Sequence, residues 1–152
     1  LDFDNYVTNG DGVITNGFEL DWGFVGGGGA SNGTFTWQPS STTTLTQVNG
    51  NGFDLLSLDF MLNAAASPYE VTGYFQSGAT ISTSLSGDGA AFTWDSAFFD
   101  SGWTNLVAVE FVSNDLQAID NIVIATVPIP AAVWLFGSAL AGLGWMRRKQ
   151  TV

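Results

Sequence analysis

The sequence predicts an all-β domain, an antiparallel β-sandwich, followed by one C-terminal hydrophobic helix. Three observations carry that expectation. About nine short segments between Leu1 and Thr126 alternate apolar and polar residues, with turn signals between them at the spacing usual for sandwiches and barrels. Nothing before Val127 keeps a helical period over three turns. The end of the chain does the opposite: Ala132 to Met146 is an apolar run without a charge, closed by Arg147-Arg148-Lys149.

The elements follow in order. Residues 1–6 alternate, with Leu1 and Phe3 on one face, and Asn9-Gly10-Asp11-Gly12 reads as a turn. Phe18 to Phe24 alternates again and is expected to turn Phe18, Leu20, Trp22 and Phe24 inward as one strand. Residues 26–33 form a Gly/Ser/Asn loop. Thr34 to Gln38 is a short strand carrying Phe35 and Trp37, and the Thr-rich stretch Ser40 to Val48 is extended. Asn49-Gly50-Asn51-Gly52 is a strong turn signal. Phe53 to Leu62 is a strand expected to show Leu56, Leu58, Phe60 and Leu62 on one face. Strands at Tyr69 to Gln76, Thr80 to Leu85 and Ala91 to Trp94 come next, with a turn at Gly87-Asp88-Gly89. Asn105 to Val112 is the most apolar strand and is placed centrally, and Gln117 to Thr126 closes the domain.

The tail divides into three parts. Residues 127–131, Val127-Pro128-Ile129-Pro130-Ala131, form a proline-spaced motif between domain and helix. Pro130 suits the first turn of a helix, where a missing N–H costs little. Residues 131–146 then run as one helix of about 24 Å at about 1.5 Å per residue. A bilayer core of about 30 Å asks for roughly 20 apolar residues, a length reached by counting from Val127. Residues 147–152 hold the basic cluster, which stops transfer and stays on the cytoplasmic side by the positive-inside rule. Trp134 and Trp145 lie near the two ends of the run, where interfacial aromatics are favoured.

Charge is segregated along the chain. All 14 acidic residues precede Asn121, and all three Lys/Arg residues lie in the C-terminal cluster. Residues 1–126 therefore have no Lys or Arg for an internal ion pair, and a basic nucleic-acid surface is excluded. The chain has no histidine and no cysteine. That removes Ser-His-Asp and Cys-His catalysis, His- or Cys-bearing zinc sites and disulfides. Gly26-Gly27-Gly28-Gly29 runs into Ala-Ser-Asn-Gly, a loop rather than a dinucleotide-binding helix. A carboxylate pair of the glycosidase kind is the one catalytic chemistry left, and scattered acids are more commonly a solvated face. The expectation is a protein that is not an enzyme. The start at Leu1 rather than Met fits removal of a signal peptide, and equally a fragment.

The tripartite tail, on Val127, Pro128, Pro130, Ala131, the apolar run and Arg147-Arg148-Lys149, resembles the PEP-CTERM sorting signals in their VPLPA variant, with Ile129 in place of the usual leucine. The resemblance implies processing by an exosortase of a Gram-negative bacterium that makes exopolysaccharide. It also implies export and membrane anchoring, at least transient, at the outer surface or in the extracellular matrix. Val71-Thr72-Gly73-Tyr74, Val109-Glu110-Phe111 and Asp120-Asn121-Ile122 loosely resemble strands of the jelly-roll-like ectodomains common in that class. Carbohydrate-binding jelly rolls often hold calcium between first and last strands, which implies a calcium site at Asp2 or Asp4 with Asp120. A hard cation there would draw further oxygens from backbone carbonyls.

Two further candidates come from the residues themselves. Trp37 and Trp103 lie beside loops and are candidates for stacking on a sugar, although such residues are more commonly core. On the tail helix Gly137 and Ala141 are four apart and Gly144 follows, a spacing that lets helices of two copies approach closely. No lysine guards any strand edge. The leading expectation is an exported, self-assembling structural subunit of a filament or envelope layer, with copies of itself and membrane lipid as partners. The alternative is a carbohydrate-binding module that holds matrix exopolysaccharide.

Overall fold

A computed structural model describes residues 1, 7–9, 12–21, 23–27, 35–39, 42–62, 69–88, 90, 92–112, 116–126 and 138, with backbone alone at 7–9, 23–27, 35–39 and 116–117. The strands are β1 (Val7–Asn9), β2 (Gly12–Thr15), β3 (Phe18–Leu20), β4 (Gly23–Gly27), β5 (Phe35–Pro39) and β6 (Thr43–Gln47). They continue as β7 (Phe53–Leu62), β8 (Tyr69–Phe75), β9 (Thr80–Leu85), β10 (Trp94–Phe98), β11 (Leu106–Phe111) and β12 (Leu116–Thr126). Every pairing among them is antiparallel, and no described residue before Val127 is helical, so the expected all-β class holds.

Hydrogen bonding links the strands into one curled sheet with two runs. The first run is β1-β2-β3-β6-β11-β8-β9, and the second is β10-β7-β12-β5-β4. A single register pair, Leu106 with Phe53, joins β11 to β7 between them. The first run builds its inner face from one continuous row across six strands, Val13–Leu20–Leu45–Val109–Gly73–Ile81, because directly paired residues share a face. The second run supplies Leu55, Leu58, Phe60, Leu62, Ile119 and Ile122 to the same buried cluster. Phe18 of the first run meets Phe53 of the second edge-on, ring centroids 5.2 Å apart.

Turn chemistry closes the hairpins. Asn16 and Gly17, with φ of 50° and 80°, form the two-residue link between β2 and β3, the left-handed pair that a tight twisted hairpin requires. Gly50 N–H donates to the Gln47 carbonyl at 2.8 Å, and the Asn51 N–H to Asn49 Oδ1 at 2.9 Å. These bonds turn the chain into β7 at the Asn-Gly signal.

Three expectations need correction. The alternating stretch Phe18 to Phe24 is two strands, not one. β3 ends at Leu20, pairs with β2 and β6, and buries Phe18 and Leu20; β4 begins at Gly23 and pairs with β5 in the other run. The break falls at Asp21, whose N–H donates to the Thr44 carbonyl at 3.1 Å. In β7 the inner face is Phe53, Leu55, Leu58, Phe60 and Leu62, whereas Leu56 is 43% exposed. The register explains the slip: Ile124 pairs with Leu55 and Val123 with Ser57, leaving Leu56 as an extra residue that reverses the alternation. The short strand expected at Ala91 to Trp94 begins at its last residue and runs to Phe98, after Phe92 at φ 60°.

The motif Val127 to Ala131, the small residues Gly137, Ala141 and Gly144, and the cluster Arg147-Arg148-Lys149 lie outside the described residues. Among the described residues no helix is long and apolar enough to cross a membrane.

Candidate functional site: the polar bulge of β12

Of the three expected calcium ligands, Asp120 is described; Asp2 and Asp4 are not. Asp120 is buried at 2% exposure, directly opposite Asp59 of β7. Like charges so paired across a ladder repel. The local backbone answers this with a second bulge. Between the pairs Asp120–Asp59 and Val123–Ser57, Asn121 and Ile122 together oppose Leu58. Asn121 takes φ 47°, a conformation asparagine tolerates better than most residues. From there its backbone N–H donates to Asp120 Oδ1 at 2.8 Å, and its side-chain amide donates to Asp59 Oδ2 at 2.7 Å. Ser96 Oγ on β10 donates to Asp59 Oδ1 at 2.6 Å. Asn121 thus bridges two carboxylates, while the same bulge turns Ile122 into the core at 0% exposure.

The N-terminus reaches this region, since the Leu1 ammonium donates to the Ile122 carbonyl. Leu1, Phe18, Ile122, Ile124 and Thr126 line most of an open, largely apolar groove of about 380 Å³ beside it. Among the described residues no group of three or more His, Cys, Asp or Glu side chains is placed to hold a metal ion. Asp120, Asn121 and Asp59 offer oxygens, and calcium there would need ligands from elsewhere in the chain.

Trp103 is not presented to solvent. It is 3% exposed, its ring lies 4.7 Å from that of Phe99, and its backbone carbonyl accepts from Leu55 N–H at 3.0 Å. It serves as a core residue where the chain returns to β11. Trp37 sits on β5 with its backbone in register with Ile119, and its side chain lies outside the described residues.

Two surfaces went unnoticed in the sequence. Phe98, Ser57 and Val123 form one row across β10, β7 and β12, with Phe98 82% exposed. The Leu56 slip and the Asn121 bulge place that row outside, and neither has a period that sequence reading detects. On the outer face of the first run, Glu110, Thr72 and Ser82 share a row, flanked by Tyr74 and Thr80 on one side and by Glu70 and Ser84 on the other. Tyr74 donates to Glu110 and Ser84 to Glu70, and the Thr72 and Ser82 hydroxyls lie 3.0 Å apart. The bond to Glu110 holds the Tyr74 hydroxyl protonated above its ordinary range.

Burial raises the Tyr69 pKa further, with the Glu110 charge adding to it, and among the described residues the buried Tyr69 hydroxyl has no hydrogen-bond partner. Because the folded pKa lies above the unfolded one, Tyr69 contributes full stability below about pH 10 and loses it as pH rises above that value. Phenolate absorbance should therefore appear for Tyr69 only together with loss of β-sheet circular dichroism. Its ionisation in the intact fold near pH 10 would contradict the burial.

Comparison with known proteins adds no family: no family model, curated protein or solved structure matches the chain.

Proposed function

We propose that this is an exported, non-enzymatic surface protein, a self-assembling structural subunit whose C-terminal helix packs in a membrane or an assembly core. The observation that carries the reading is the segregation of charge and hydropathy. The 14 acids lie in a β-rich domain, and an uncharged apolar run ends on the only three cations of the chain. That distribution supports an outward acidic domain and a tail retained by lipid. The two runs of the sheet are read as the two leaves of a jelly-roll-like sandwich, supported by the Phe18–Phe53 contact and the shared core. The PEP-CTERM resemblance of residues 127–149 supports exosortase processing and a Gram-negative surface. The tail seam is tested by Gly137→Leu with Ala141→Leu, which keeps the run apolar but blocks close helix approach. The double variant is expected to insert in membranes yet fail to assemble, and normal assembly would exclude the seam.

Calcium bound at Asp120 with Asp2 or Asp4 belongs to the same reading. A ligand that binds only the folded state raises its stability by mass action. Chelator should then lower the thermal midpoint, by roughly 4–10 °C for a 1–2 kcal/mol contribution. An unchanged midpoint would exclude a structural calcium ion.

A second reading, a carbohydrate-binding module for matrix exopolysaccharide, is favoured by the hydroxyl- and carboxylate-bearing outer face of β8 and β9 around Tyr74.

A further inference from the structure

We infer that β9 is a self-pairing edge, and that two copies of this chain join by aligning their β9 strands antiparallel into one continuous sheet. The inference rests on the self-assembling reading above and names its contact.

Among the described residues β9 pairs with β8 alone, and no described strand covers its other edge. Its direction of hydrogen bonding follows from the hairpin. Phe75 N–H donates to the Ala79 carbonyl at 2.9 Å, and Gly78 N–H donates to the Phe75 carbonyl at 2.9 Å, with Gly78 at φ 84°. This is a three-residue loop closed by a glycine bulge. Bonded and non-bonded pairs alternate along an antiparallel ladder. Counting from Phe75, the pairs Gly73–Ile81, Val71–Thr83 and Tyr69–Leu85 exchange bonds within the molecule. The N–H and C=O groups of Thr80, Ser82 and Ser84 therefore face outward.

The other free edges are poorer templates. β1 has three residues, and three of the five residues of β4 are glycine. β10 carries Asp95, whose carboxylate accepts from Asp88 N–H at 3.1 Å. β9, Thr-Ile-Ser-Thr-Ser-Leu, has no charge, no proline, no glycine and no register shift. Such an edge lacks the devices that normally prevent strand addition.

A second copy fits as the occupant because the strand is self-complementary. A two-fold interface requires each surface to match itself. Hydroxyls donate and accept, so serine and threonine meet that requirement where a carboxylate does not. Centring the pair on Ser82 sets Ser82 against Ser82 of the second copy and Thr80 against Ser84, and all three outward residues then exchange bonds. Charge does not oppose it locally. Glu70, beside Ser84, would lie about 14 Å across four strands from its counterpart and about 13 Å further along them. That separation exceeds a screening length of about 8 Å at physiological salt. One six-residue strand is a small interface, so the contact is weak alone and gains from tails that hold copies at high local concentration.

The chain has no cysteine, so introduced thiols report cleanly. In the full-length protein, Ser82→Cys should form a disulfide-linked dimer under mild oxidation at least tenfold faster than Ser101→Cys on an exposed turn. The roughly 5.5 Å between Cα atoms of a bonded pair lies within disulfide reach. Thr80→Cys and Ser84→Cys should cross-link when mixed and not when separate. Ser82→Pro, which removes an outward N–H and leaves the β8 ladder intact, should abolish cross-linking of a Thr80→Cys and Ser84→Cys mixture. Cross-linking of Ser82→Cys no faster than Ser101→Cys, or no gain on mixing, overturns the β9 contact. If ordered assemblies persist in micrographs of the same samples, the β9 contact alone is overturned; if the samples are dispersed, the assembly reading is overturned with it.

Discussion

Replacing Phe53 with alanine is expected to destabilise the domain by about 3–5 kcal/mol, the range for emptying a buried aromatic site. Phe53 is fully buried and opens β7 where the two runs meet. Its backbone is in register with Leu106 on one side and Thr126 on the other, and its ring meets Phe18 edge-on at 5.2 Å. The surroundings are held by three strands and collapse poorly into the space. A domain of this size is stable by roughly 5–15 kcal/mol, so the variant should lose a large share of that margin. Phe98→Ala supplies the contrast: Phe98 is 82% exposed, and its removal should stay within about 0.5 kcal/mol. Urea denaturation of both variants measures the difference. Equal effects would contradict the core described here.

Ending the chain at Thr126 is expected to abolish its flotation with vesicles containing anionic lipid, while the β-sheet circular dichroism is kept. The deleted part carries the whole uncharged run Ala132 to Met146 and all three cations. Each Lys or Arg near an anionic surface contributes about 1 kcal/mol, and that attraction is screened within a Debye length. The apolar run adds a contribution that salt does not screen. High salt should therefore weaken the initial attraction but leave the inserted full-length chain floating. The domain left behind has no Lys or Arg to draw it to the same anionic surface. Flotation of the truncated chain equal to the intact one would place the lipid contact on the sheet and remove the tail from the account.

The alternation of the sequence carried the class and most strand positions. β6, β8, β9 and β12 fall where apolar and polar residues trade places, because one face of each is buried, and β11 falls at the most apolar run of the domain. What it did not carry was phase. In β7 the run Leu55-Leu56 offers two apolar residues in succession, and only the bulge opposite Val123 and Ile124 decides which turns inward. The exposed Leu56 is the result. Phe18 to Phe24 keeps an unbroken alternation although the chain leaves one run for the other at Asp21, since both runs ask for the same period. Asn16-Gly17 was a legible hairpin signal that sequence reading passed over. Asp120 was singled out by a loose resemblance; its partner Asp59 was not, because cross-strand neighbours 61 residues apart leave no local mark. Trp103 shows the limit of the loop criterion, being near a turn in sequence and inside the core in space.

The most direct test of the account is electron microscopy of the intact 1–152 chain reconstituted with lipid. Ordered filaments or layers are expected, in which acidic domains face outward and tails lie together within. Dispersed single particles at the same protein density, with tails inserted singly, would contradict a structural subunit and leave an anchored domain whose role is to bind.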